Sequence, residues 1–218
     1  MKPHKETLLA ARKILTPESH WPISGQYSPP GWRYFSDRWG GLLTAPSFPT
    51  IEDWQPHFHQ SPYLSQLKLK VQMPLSVRKR RSFRKTMGLS PLGYYLKSIC
   101  EDNTLYFRQD NWHDFFNNLI WLTFPQSKLK LHRMAFACYQ KRDGQKARTP
   151  LEDRITRFDE GGMVVCKTQK VTFGHGLLEA SFFNRQEDTS AFEVLLEEKE
   201  NLDLDTLLSN SMTKLLGS

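Results

Sequence analysis

The stretch QDNWHDFFNNLIWLTFP, residues 109–125, sets a histidine, an aspartate and two asparagines into an otherwise apolar and aromatic run. Asn111 stands where a residue caps a helix, Asp114 follows three positions on as a capping-box-like partner, and Pro125 marks the end. At about 100° per residue, Trp112, Phe115, Phe116, Leu119, Ile120 and Leu122 share one broad face. His113, Asp114, Asn117, Asn118 and Trp121 share the other. A tryptophan among the polar groups implies that this second face is covered, and covered polar groups need partners. The helix is therefore expected to bury one side and to line a polar site with the other. For any single residue a bland role stays open: Asp114 as a cap, His113 as a structural hydrogen-bonder.

Downstream, SKLKLHRMAFACYQKRDG predicts a helix started by Ser127 and ended near Gly144, with Leu131, Met134, Ala135 and Cys138 as its stripe. TPLEDRITRFDEGGMVVCK predicts a short helix from Pro150, a turn holding Asp159, Glu160, Gly161 and Gly162, and a strand from Met163. VTFGHGLLEASFF runs from strand through Gly174 into another helix. There His175 and Glu179 are four apart and share a face, a spacing that suits two metal ligands or an acid/base pair.

Upstream, QLKLKVQMPL alternates Leu67, Leu69, Val71 and Met73 with polar residues, the period of a half-buried strand. PLGYYLKSIC predicts a short helix, followed by a polar turn from Glu101 to Thr104. Residues 1–65 open with an amphipathic segment using Leu8, Ala11, Arg12 and Leu15. They continue as loop interrupted by proline and glycine, anchored by Trp21, Trp32, Trp39 and Trp54. His57 and His59 are two apart, which aligns side chains only on a strand, and they are read as surface histidines. Near the C-terminus, Ser190 and Glu193 form a capping box ahead of FEVLLEEK, and LDTLLSNSMTKLL is amphipathic.

Composition bounds the rest. A chain of 218 residues, 39% hydrophobic and 12% aromatic, can bury a substantial core. The three cysteines are far apart, odd in number and lack any CxxC pair, so neither a disulfide framework nor a cysteine zinc knuckle is indicated. No run is long and apolar enough to span a bilayer, no signal peptide opens the chain, and a cytoplasmic location is expected. The net charge of +7 is uneven: residues 1–100 carry 15 basic and 5 acidic residues, residues 184–218 carry 3 and 8. The basic peak, Arg78, Lys79, Arg80, Arg81, Arg84 and Lys85, can follow a phosphate backbone or be neutralised by the acidic tail.

The blocks NWHDFFNNLIWLTFP, RTPLEDRITRFDEGG and FGHGLLE, in that order, resemble an uncharacterised bacterial family, the domain of unknown function 3025. The resemblance spans roughly residues 67–183. It implies that Trp112, His113, Asp114, Asn117, Phe124, Pro125, Asp153, Thr156, Phe158, Asp159, Glu160, Gly174, His175 and Glu179 are marked positions, and it implies no activity. His132 stands where the family usually has asparagine, and Gly176 where alanine is usual.

The expected fold is α+β: a mostly helical single domain with a small β-sheet from strands near 66–73, 163–168 and 170–173, and an acidic helical C-terminal tail. Residues 1–65 form an aromatic segment packed on the core, 66–183 the family core, and 184–218 the tail. Two functions of different class fit. In the first, a hydrolase-type enzyme uses His113, Asp114, Asp159, His175 and Glu179 catalytically on a small-molecule or phosphate-containing substrate, with Trp112, Asn117, Trp121, Glu160 and Gly174 contacting it. A divalent metal ion held by His113, His175 and Glu179 is one version of that chemistry; general acid/base catalysis is the other. In the second, a nucleic-acid-binding or regulatory module uses the basic 78–85 stretch.

Overall fold

The computed structural model describes residues 32–72, 88–142, 147–166, 169–183, 192–197 and 202–217. The amphipathic segment at 8–15, Trp21 and the basic run at 78–85 lie outside them. The described residues form eight helices, α1 (Trp32–Leu43), α2 (Ile51–Gln60), α3 (Pro91–Cys100), α4 (Trp112–Thr123), α5 (Pro125–Lys141), α6 (Pro150–Gly161), α7 (His175–Phe182) and α8 (Leu204–Gly217). Five strands complete them: β1 (Lys68–Val71), β2 (Thr104–Phe107), β3 (Gly162–Cys166), β4 (Gln169–Thr172) and β5 (Phe192–Leu196). β1 and β2 pair in parallel, Leu69 opposite Leu105. The second sheet runs β4-β3-β5, antiparallel then parallel, with Val171, Val164 and Val194 in register across it. The architecture is the expected α+β, mostly helical, with its strands divided between two small sheets.

Three local expectations are corrected. The region around His57 and His59 is helix α2, because Thr50 and Asp53 form a capping box and Trp54 and Phe58 then fall on one buried face. The segment after the expected turn at Glu101–Thr104 is strand β2; it is bracketed by Asn103 and Asp110, both at positive φ, a conformation those two residue types tolerate best after glycine. The helix expected from Phe192 is not found at Phe192–Leu196, and Ser190 of the expected capping box lies outside the described residues. Phe192–Leu196 instead completes the β3 sheet, with Val194 and Leu196 buried and Glu193 and Leu195 outward, the period-two pattern of a strand.

The core centres on α4, whose Phe116, Leu119, Ile120 and Trp121 are fully buried. Trp112 packs against Phe48, Phe115, Phe116, Phe182 and Phe183, and Trp32 reaches the same cluster through Phe116 and Phe182. Only Phe124 separates α4 from α5, so the second helix begins at Pro125 rather than Ser127. Its first turn is capped from a distance. Asp205 of α8 accepts the backbone N–H of Gln126 at 2.8 Å and of Ser127 at 2.9 Å, and its own carbonyl accepts the Ser127 hydroxyl. Leu207, Leu208, Met212 and Leu216 of α8 are buried beside it. The end of the acidic segment is thus part of the core. Asp205→Ala leaves one buried and one half-buried N–H donor of the first turn without this partner and is expected to cost about 2 kcal/mol, read as a lowered urea midpoint at unchanged slope.

Candidate functional site

α4 begins where the sequence places it. Asn111 accepts the Asp114 backbone N–H at 3.1 Å, but the Asp114 carboxylate leaves the cap for the Arg108 guanidinium, with contacts of 2.7 and 2.9 Å. That pairing fixes the first turn and directs His113 toward α7. α7 approaches from the β3–β4 hairpin through Gly174, which sits against the backbone of Glu160; a Cβ there would lie 2.5 Å from the Glu160 carbonyl. Glycine is required by this approach. It brings the N-terminus of α7 onto the last turn of α6, so Asp159 and Glu160 lie on helix rather than in the expected turn.

The two histidines meet. His113 Nε2 and His175 Nε2 are 3.1 Å apart, with the rings edge to face. His175 Nδ1 donates to the Asp159 carbonyl at 2.9 Å, which turns the lone pair of Nε2 toward His113. Glu179, on the same face of α7 as His175, lies 3.5 Å from His113 Nδ1. Glu160 Oε2 is 3.4 Å from His175 Nε2. One nitrogen from each histidine and one oxygen from Glu160 all fall within 4.8 Å of one another, so this set can hold a metal ion. At the common point, Glu160 stands where Glu179 was expected, and Glu179 instead orients His113.

Behind this group is a buried ion pair that sequence reasoning missed. Lys128, with no exposed side-chain surface, donates to Asp159 at 2.6 Å and lies 5.8 Å from the rings of both Trp121 and Phe173. Its place in the stripe Lys128, Leu131, His132, Ala135 is the signal that could have found it, since a lysine on an apolar helix face needs a partner. Burial alone would raise Asp159, but Lys128, His175 and His132 hold its carboxyl well below the usual range. His175 is pushed down to about 3 by burial and the Lys128 charge, and His132 to about 4, mainly by burial. His113 is raised by its hydrogen bond to Glu179, and Glu160 is raised by burial and by the charge of Asp159.

The site opens into a cleft of about 840 Å³ lined by α3, α4, α5 and α6, including Tyr95, His113, Asp114, Asn117, Asp159, Glu160 and His175. Burial keeps the Tyr95 hydroxyl protonated on its wall. Trp112 and Trp121, expected at the substrate, are core residues: α4 is covered on nearly all sides, and both indoles are spent filling it, Trp121 against the His132 ring. Gly174 contributes backbone proximity. Asn118 is buried with both amide atoms unpartnered among the described residues, so the covered face is less fully satisfied than its composition implies.

Residues 83–172 match the family described as Protein of unknown function (DUF3025). This segment is a DUF3025 domain. It contains His113, Asp159 and Glu160; the α7 residues His175 and Glu179 follow just after the match ends. No curated protein and no solved structure matches the chain.

The depressed values of His132 and His175 make acid stability a test of this geometry. Both are neutral in the fold and protonate near 6.5 when unfolded, so their contribution is complete above that pH and is lost as pH falls toward 4. His132→Asn is expected to flatten the decline of the unfolding free energy between pH 6.5 and 4, measured by urea titration with chelator present, by up to about 1.4 kcal/mol per pH unit.

Proposed function

We propose that the DUF3025 domain is the core of a metal-dependent hydrolase, with His113, His175 and Glu160 holding one divalent ion. The supporting observation is the spacing of the two Nε2 atoms, 3.1 Å, with each opposite nitrogen already facing an acceptor. Two imidazole nitrogens bound at about 2.0–2.1 Å to a tetrahedral ion stand roughly 3.3 Å apart, so the coordination shell needs almost no rearrangement. Three protein ligands beside an open cleft are the pattern of a catalytic rather than a structural centre. The ion would supply Lewis acidity and a bound water of lowered pKa.

The chain's own residues do the positioning. Glu179 and the Asp159 carbonyl fix the tautomers and ring planes of His113 and His175, the carboxylate–histidine arrangement that tunes ligand basicity. Lys128 holds Asp159, and therefore the carbonyl that holds His175. Tyr95 offers a neutral hydroxyl to a substrate in the cleft. The three cysteines are unpaired, which supports a reducing, cytoplasmic setting. No helix among the described residues is long and apolar enough to cross a membrane.

Metal titration of chelator-treated protein tests the reading. Zinc or manganese at about 100 times its Kd is expected to stabilise the fold by about 2.7 kcal/mol, and His113→Gln or Glu160→Gln to abolish that gain while leaving the apo fold intact. Glu179→Gln, which removes only the orienting carboxylate, is expected to weaken metal affinity by about 10–100-fold. Metal-dependent cleavage of chromogenic ester and phosphoester substrates should fall with the same variants. If no metal binds at one equivalent, the two histidines are a proton-sharing structural pair and the reading is wrong.

A further inference from the structure

The carboxylates lining the cleft are unevenly neutralised. Asp114 is paired with Arg108 at 2.7 Å and Asp159 with Lys128 at 2.6 Å, while Glu160 faces the two histidines. Arg148 also lines the cleft, but among the described residues it meets no carboxylate; its guanidinium donates only to the Thr156 hydroxyl, at 3.4 Å. With a divalent ion on His113, His175 and Glu160, the cleft therefore carries a net positive charge, and an exposed guanidinium with no carboxylate partner among the described residues stands on its wall.

The space is also much larger than a simple anion needs. Its volume of about 840 Å³ falls in the range of small-molecule sites. Leu92 and Ala135, half-buried and backed by the buried Leu96, Leu131 and Ile155, form an apolar wall contributed by α3, α5 and α6. Hydrocarbon entering the cleft covers the accessible parts of Leu92 and Ala135 and displaces the water there, which favours a ligand with an apolar body.

We propose that the cleft binds a small amphiphilic anion, whose carboxylate or phosphate group is held by Arg148 and whose hydrocarbon body lies along Leu92, Leu96, Leu131, Ala135 and Ile155. This deepens the metal-hydrolase reading and rests on it for part of the positive charge. Arg148 forks two donors onto two oxygens of an oxyanion, a geometry that a neutral head group cannot match. The apolar wall then discriminates between the amphiphile and a bare anion of the same charge.

Calorimetric titration of manganese-loaded protein with octanoate, octylphosphonate, methylphosphonate and octanol tests the assignment. At least one octyl anion is expected to bind ten-fold or more tightly than both octanol and methylphosphonate, and the tighter of the two octyl anions identifies the head group. Arg148→Gln should remove that ten-fold preference while leaving manganese affinity unchanged. Ala135→Phe, which fills the apolar wall, should weaken octyl anions and spare methylphosphonate; circular dichroism checks that it folds. Equal binding of octanol and the octyl anions, or unchanged binding by Arg148→Gln, overturns the proposal even when manganese binds normally. Failure of manganese to bind, with Arg148-dependent octyl-anion binding retained, overturns the metal centre and upholds the anion site.

Discussion

The ion pair between Lys128 and Asp159 couples three helices to one site. Lys128 rises from the first turns of α5 with no solvent access, and Asp159 meets it from the last turn of α6 at 2.6 Å. Taking two charges out of water is unfavourable, and removing one partner of such a pair leaves the other uncompensated, at a cost of about 3–5 kcal/mol. The pair therefore ties α5 to α6 at one point, and losing either partner alone is what the structure tolerates least. Because the Asp159 carbonyl also accepts from His175, the same lock sets the start of α7 and the direction of a histidine lone pair. Gly174 permits the close approach that this hydrogen bond demands.

Charge neutralisation then divides the cleft into a held part and an available part. Arg108 and Lys128 each consume one carboxylate, so Asp114 and Asp159 act as fixtures that orient α4 and α7. Glu160 remains half exposed, with its side chain 52% accessible and its oxygen beside the two Nε2 atoms. The two paired carboxylates hold geometry, and the more accessible one lies beside the two histidines. This division lets a site with many charged groups stay rigid while one carboxylate remains accessible.

How much of this was legible in the sequence follows from the range of the interactions. α4 was readable because its signals are local: Asn111 as the cap and a 3.6-residue apolar period. The i, i+4 spacing of His175 and Glu179 was also informative, since both groups reach His113, one at each ring nitrogen. What was not legible depends on approach between distant segments. Two glycines after Glu160 were read as a turn, although Gly161 ends the helix and Gly162 starts the strand. That one-turn difference placed Asp159 and Glu160 in a loop, and with them the choice of Glu160 over Glu179 at the common point. The strands β2 and β5 are four and five residues long, and their pairing partners, β1 and β3, lie well over 20 residues earlier. Their identity is decided by those partners rather than by their own propensity.

The composition of α4 follows from these constraints. Its aromatic residues fill a core shared with α1, α7 and the Phe48 loop, which fixes the helix against rotation about its axis. Without that restraint His113 would swing through an arc, because a rotation of about 20° at a helix surface displaces a long side chain by an ångström or more, and catalytic geometry tolerates about 0.5 Å. The imidazole of His113 is held by His175 at Nε2 and Glu179 at Nδ1. The polar residues of NWHDFFNN are therefore paired with the aromatic ones for a mechanical reason: the apolar side supplies the rigidity that a metal-competent pair of histidines requires.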